Sequence, residues 1–343
     1  MPEQEPTNNG IQATDVPGLS FRGFQGEADY PHIQTIIAES NQVDGIAERM
    51  LPENIEGWCA PFDHFDPHHD LLFALDGSAR GEAPSVVGLS RLGWYSGLEN
   101  VRLYYQISFL LPSWRGRGVW RAMVRRNERR LQEIAAGHPP TTQRLLQAWS
   151  TDKQAQWISV LESKGYQTVR RFFNMLHQLE AIPERPLPAG LEIRPAQPDH
   201  YRSIWEVQKE AYEGLFETVA ENWTEEKYQA WRVSSSHTPH LWQVAWDGDQ
   251  VAGMVLNRID ETENRERGRK RGYTEHIFVR RPWQQRGLAS ALIAQSLQLL
   301  KAQGMNEAEL GVDSENESAA LRLYQRMGYQ TFSIDTWFRK SME

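Results

Sequence analysis

The chain has 343 residues, 40% of them hydrophobic and 24% charged, an ordinary globular composition long enough for about two domains. A formal net charge of −8 at pH 7 argues against general affinity for nucleic acid, and the single cysteine, Cys59, excludes an internal disulfide or a cysteine-rich zinc site. No apolar run approaches the length of a membrane span, and Pro2-Glu3-Gln4-Glu5-Pro6 lacks the basic and apolar regions of a signal peptide, so the expectation is a cytoplasmic protein with no nucleic-acid or membrane partner.

Residues 1–17 are polar, carry Pro, Asn and Gly, and read as a disordered tail. The alternation in 19–22 predicts a short strand. Residues 30–40 read as a helix with Ile33, Ile36 and Ile37 inward, and 46–58 as a second helical region interrupted at Pro52. Segments 70–76, 85–94 and 101–111 are predicted strands, the last stopped by Pro112. Residues 118–136 read as a helix with Trp120, Met123, Val124, Leu131 and Ile134 on one side. A strand at 144–148, a helix at 152–164 and a closing strand at 172–179 follow.

The same order then begins again. Leu191-Glu192-Ile193-Arg194 echoes Leu19-Ser20-Phe21-Arg22, Asp247-Gly248 echoes Asp76-Gly77, and Gly328-Tyr329-Gln330-Thr331 repeats Gly165-Tyr166-Gln167-Thr168. A repeat this long implies two copies of one domain, at 18–180 and 191–343, joined by a stiff linker at 181–190 that carries Pro183, Pro186, Pro188 and Gly190. Each copy reads strand, two helices, three strands, helix, strand, helix, two strands. The strands flanking the central helix are expected to run parallel, as a β-α-β unit, and the hairpins to add antiparallel neighbours.

The second copy is organised around 273–303. Tyr273 to Val279 reads as a buried strand stopped at Pro282. Gln284 to Gly287 form a short loop, and from Leu288 the residues Ala289, Leu292, Ile293, Leu297 and Leu300 fall on one helical face. The first turn of a helix offers unpaired N–H groups and the positive end of its dipole to a phosphate, and Gly287 removes the side chain where the backbone must approach an anion. The run Gln284-x-x-Gly287-x-Ala289, followed by Val312-Asp313-Ser314-Glu315-Asn316 and the helix 319–329 with Tyr324 and Gly328-Tyr329, resembles the two signatures of the GNAT acyltransferase superfamily.

That resemblance covers nearly all of the chain after the tail. It implies an α/β (α+β) fold of two domains, each with a mixed, mostly antiparallel sheet. It implies N-acetyl transfer from acetyl-CoA to a primary amine by direct attack, with no metal. The backbone amides of Gln284, Gln285, Arg286, Gly287, Leu288 and Ala289 would hold the pyrophosphate, and a backbone donor at a bulge near Phe278 and Val279 would meet the oxyanion. Tyr324 would protonate the departing thiolate, and Asn316, eight residues before it where seven is usual in the family, would bond the pantetheine arm. Glu275 on the strand before the loop is the candidate base, against the reading of a strand glutamate paired with an arginine. His276 is the alternative base, but strand alternation sends its side chain to the opposite sheet face, which favours a structural role.

The first copy departs from the pattern. Its loop is Arg115-Gly116-Arg117-Gly118-Val119-Trp120, with Trp120 where the second copy has Ala289, and Leu161 stands where the second has Tyr324. Leucine cannot donate a proton, so this copy is expected to be catalytically silent. A tandem layout with one active half is similar to the mycothiol synthase branch of the superfamily, a likeness of layout that leaves the substrate open. The acceptor is a small-molecule or peptide amine, and oligomeric state is not legible. A non-catalytic acyl-CoA-binding or regulatory protein, and a scaffold in which neither half binds coenzyme A, are the alternatives. The stretch 63–70, rich in Asp and His, has the spacing of no metal motif and reads as a solvated loop. The charged run 261–271 reads as a mobile hairpin tip. Trp205, Trp223, Trp231 and Trp242 read as core, with at most one or two lining a site.

Overall fold

Strands and amphipathic helices alternate as expected and assemble into two units in the computed structural model of the chain, which describes residues 16–46, 52–60, 65–78, 83–97, 100–140, 143–212, 223–234, 237–313 and 320–342. One unit is Met1–Val169 with Thr336–Glu343, and the other is Arg170–Asp335. Residues 170–180, read from sequence with the first copy, therefore belong to the second unit, and 336–343 belong to the first. Most of the expected tail, and Asn316, lie outside the described residues; Val16 packs against the first unit's core.

The first unit runs β1 (Leu19–Gly23), α1 (Tyr30–Val43), α2 (Pro52–Cys59), α3 (Pro67–Asp70), β2 (Leu71–Asp76), β3 (Ser85–Ser96), β4 (Val101–Leu110), α4 (Val119–Ala136), β5 (Gln143–Thr151), α5 (Ala155–Ser163) and the start of β6 (Gln167–Gln178). Its sheet has the order β1-β2-β3-β4-β5. All neighbours are antiparallel except β4 and β5, which run parallel through the crossover α4. Residues 336–341 flank β5, where Phe338 is buried in the same core as Val119, Leu131, Trp157 and Leu161.

The second unit continues with β7 (Glu192–Ile193), α6 (Tyr201–Tyr212), α7 (Glu225–Val233), β8 (Trp242–Asp247), β9 (Gln250–Ile259), α8 (Glu261–Arg267), β10 (Arg271–Val279), α9 (Leu288–Ala302), β11 (Glu307–Asp313), α10 (Arg322–Arg326) and β12 (Gln330–Ser341). Its order is β6-β11-β10-β9-β8-β7, with β10 and β11 parallel through α9 and the other registered pairs antiparallel. The apolar face of α9, including Leu288, Leu292, Ile293, Leu297 and Leu300, is buried, each large aliphatic side chain contributing at most roughly 1.5–3 kcal/mol. Ile182 and Leu187 of the proline-rich stretch pack against this core. Each copy closes with one long strand, β6 or β12, where two were expected.

The charged run 261–271 is corrected: its first part is the helix α8. Asp260 caps it by accepting from the Glu263 N–H at 2.9 Å, Gly268 ends it in the left-handed region, and Glu263 pairs with Arg267 one turn on. Buried Asn264 then bonds the Arg271 backbone on both its amide atoms. Composition suggested a solvated tip; the caps, invisible to composition, decide the outcome.

Gly253 on β9 faces Val279, and a Cβ there would fall 2.9 Å from the Phe278 carbonyl oxygen. Backbone cannot yield as a side chain does. Gly253→Ala is therefore expected to destabilise the second unit by roughly 1–3 kcal/mol, read as a lower urea midpoint at unchanged slope.

Candidate active site

In the second unit β10 and β11 pair only from Arg271–Glu307 to Tyr273–Glu309, then part. From there β11 stays with β6 and β10 stays with β9. Thr274 sits at the fork, its hydroxyl 2.7 Å from the Tyr329 hydroxyl and 3.3 Å from the Glu309 carbonyl. Beyond it β10 bulges: Glu275 faces Leu256 and Phe278 faces Met254, so His276 and Ile277 together oppose Val255. The fork and bulge open a cavity of about 1330 Å³. Its walls are residues 274–279 on one strand, 311–313 on the other, Glu210 to Tyr212 of α6, and Arg281, Gln284, Ala289, Ala320, Leu323 and Tyr324.

One end of the cavity is the loop before α9. The Gln284 side chain donates to the Val279 carbonyl at 2.9 Å and pins the loop to the strand end. Gln285 at φ 61° and Gly287 at φ 85° turn the backbone, and Gly287 caps α9. A Cβ at Gly287 would meet nothing within 4 Å, so its surroundings are open. The N–H groups of the first helical turn have no partner inside the helix, which with the dipole makes a seat for an anion. Arg281, at the rim, adds positive charge. Arg286 points elsewhere, towards the Ala189 carbonyl at 3.5 Å, and the Leu288 side chain is buried in the core, so only its backbone can serve a ligand. Of the residues read from sequence, Glu275, Phe278, Val279, Gln284, Ala289 and Tyr324 line the cavity.

Tyr324 is buried, and its hydroxyl makes no hydrogen bond among the described residues. Burial pushes its phenol up to about 12, which keeps it protonated at any physiological pH. Glu275 is half-buried; it is paired with an arginine, accepting from Arg258 at 3.3 Å, and it lines the cavity. His276 is corrected. It faces the cavity beside Glu275 because the bulge, at φ 48°, breaks the alternation that assigned it to the other face. None of Trp205, Trp223, Trp231 and Trp242 lines the cavity; they stack on one another, with ring centroids 4.5 Å apart for Trp205–Trp223 and 5.4 Å for Trp231–Trp242. No group of metal-ligating side chains is formed among the described residues, and no helix among them is long and apolar enough to cross a membrane.

Residues 201–329 match the model of the Acetyltransferase (GNAT) family. The second unit of this chain belongs to that family. Mycothiol acetyltransferases from Frankia alni and Geodermatophilus obscurus are similar to the chain, the first 25% identical over 92% of this chain and 93% of its own, the second 24% identical over 67% and 71%. A GCN5-related N-acetyltransferase structure from Sphaerobacter thermophilus shares the fold, with a TM-score of 0.73 at 23% identity over 95% of this chain and 96% of its own. The matched stretch 201–329 spans the forked strands, the glycine turn and Tyr324 of the GNAT unit.

Against the GNAT unit, the first unit keeps the scaffold and differs at the corresponding points. Its parallel pair stays joined for six residue pairs, Val101–Gln143 through Gln106–Ala148, and its β3–β4 register has no shift. Gln106 donates to the Tyr166 hydroxyl at 2.7 Å, as Thr274 bonds Tyr329, so the repeated Gly-Tyr has one structural duty in both copies. Asn127 donates to Gln106 and Ser90 at 2.9 and 3.0 Å, filling the interior with a satisfied polar cluster. Arg115 is tied to Asp44 and Ser40. Val16 approaches the face of Gly118, Trp120 is buried with its ring 4.6 Å from that of Trp157, and Leu161 is in the core.

Arg281, Tyr212, Gly311 and Asp313 line the cavity without having been read as site residues, and His276 had been set aside on strand alternation. Arg281 carried a signal, a cation three residues before Gln284. Tyr212 and Gly311 carried none.

Proposed function

We propose that the GNAT unit transfers the acetyl group of acetyl-CoA to a primary amine by direct attack, and that the first unit is catalytically silent. The observation that carries this reading is the fork of β10 and β11, which opens between the Gly287 turn and the hydroxyl of Tyr324, unbonded among the described residues. The backbone from Gln284 to Ala289 holds the pyrophosphate, with Arg281 adding charge, and the pantetheine arm lies along the edge that β10 leaves unpaired. Asn316 is retained as a pantetheine contact on the resemblance alone. The bulge at Phe278 and Val279 frees a backbone N–H for the developing oxyanion. Glu275 draws in the acceptor ammonium and takes its proton, directly or through water. After attack the carbon–sulfur bond breaks, the nitrogen gives its second proton to solvent, and Tyr324 protonates the thiolate and regains its own proton from solvent. The names of the curated relatives support a small-molecule acceptor. The closed first unit supports 191–335 as the catalytic segment and leaves 18–169 a supporting role.

Calorimetric titration of the whole chain with acetyl-CoA tests the reading, alongside release of free coenzyme A thiol on a panel of primary amines. One site per chain with turnover is expected. Two sites would overturn the silent first unit, and binding without turnover on every amine would make the chain a binding protein.

A further inference from the structure

One cavity group has no part in the chemistry above. His276 is the extra residue of the bulge, held at φ 48°, a region that side chains with a Cβ seldom occupy. The equivalent pair of the first unit, β3–β4, runs without a register shift and has no counterpart to it. The residue lines the cavity, and its Nδ1 lies 2.6 Å from the Tyr212 hydroxyl at the end of α6. Its Nε2 has no protein partner among the described residues. A positive φ of this kind persists where the surroundings enforce it, and the Tyr212 hydrogen bond is the contact that holds the ring.

The tautomer follows from the chemistry of the pair. A phenol is the better proton donor and an imidazole nitrogen the better acceptor, so the Tyr212 O–H donates to Nδ1 and the ring proton resides on Nε2. We propose, resting on the acetyl-transfer reading, that His276 Nε2–H is a side-chain donor to the acetyl carbonyl oxygen, acting with the bulge backbone N–H, and that Tyr212 is the residue that positions it. No proton changes hands: the donor meets negative charge as it develops on oxygen. Burial holds the imidazole below its ordinary range, against the opposing pull of Glu275, and burial pushes the Tyr212 phenol up to about 12, so both stay neutral. Among the described residues, the other charged groups around the cavity are Glu210, Asp313 and Arg281; Glu210 pairs with Arg280 and Asp313 with Arg170.

The test uses the full chain and carbonyl-labelled acetyl-CoA. Nitrogen-resolved NMR, assigned with His276→Gln, is expected to show the Nε2–H tautomer at neutral pH, and Tyr212→Phe to shift it towards a mixture. The infrared carbonyl stretch of bound acetyl-CoA is expected at lower frequency than in solution. Part of that shift is lost in His276→Gly, which accepts the positive φ without strain, and is retained in His276→Gln, whose amide still donates. An Nδ1–H tautomer overturns the proposal. Acetyl-CoA bound with the same carbonyl stretch in wild type and His276→Gly overturns it and leaves the acetyl-transfer reading standing, whereas failure of the wild-type chain to bind acetyl-CoA removes both.

Discussion

Gly287→Trp is expected to abolish measurable acetyl-CoA binding, while Trp120→Phe leaves affinity unchanged. Gly287 lies at φ 85°, where a side chain costs roughly 1–2 kcal/mol of backbone strain, and it heads the helix whose N–H groups would meet the pyrophosphate. The open space around it is what an indole would fill. The substitution places in the GNAT unit the residue type that the first unit carries two positions further on, so it tests the comparison of the copies as well as the site. Calorimetry measures affinity, and a melting curve separates lost binding from lost folding. Binding that survives Gly287→Trp would place the coenzyme elsewhere.

Tyr324→Phe is expected to lower turnover by roughly 10²–10⁴-fold, the usual worth of a positioned acid, with acetyl-CoA affinity nearly unchanged. The hydroxyl has no partner among the described residues, so its removal orphans no other group and stability should move little. Because its phenol sits at about 12, the wild-type rate should show no alkaline fall from this residue until well above pH 10. Steady-state rates on an accepted amine from pH 6 to 10 decide it. Full turnover in the phenylalanine variant would remove Tyr324 from the mechanism.

Much of this was legible in the sequence because it rests on local pattern. Helical spacing located α4 and α9, Gly287 marked its own turn, and the repeated Gly-Tyr marked equivalent points of the two copies. What escaped notice depends on chain segments meeting from afar. The alternation that placed His276 away from the cavity is valid only for an unbroken strand, and the bulge that reverses it is a property of the β9–β10 register. Tyr212 ends a helix with no motif and matters because α6 brings it to that bulge. The extent of the fork, three parallel pairs in one unit and six in the other, belongs to pairing and has no residue signature.

The membership of 336–343 in the first unit has a consequence for how the protein is made. Without those residues β5 has an uncovered edge, and the core lacks Phe338. The ribosome must therefore have translated all of 170–335 before the amino-terminal half can complete its sheet. The usual order, in which the first domain completed folds while the next is still emerging, is inverted here. A polypeptide released early would leave that strand edge open, so a completed first unit contains residues made after all of 170–335.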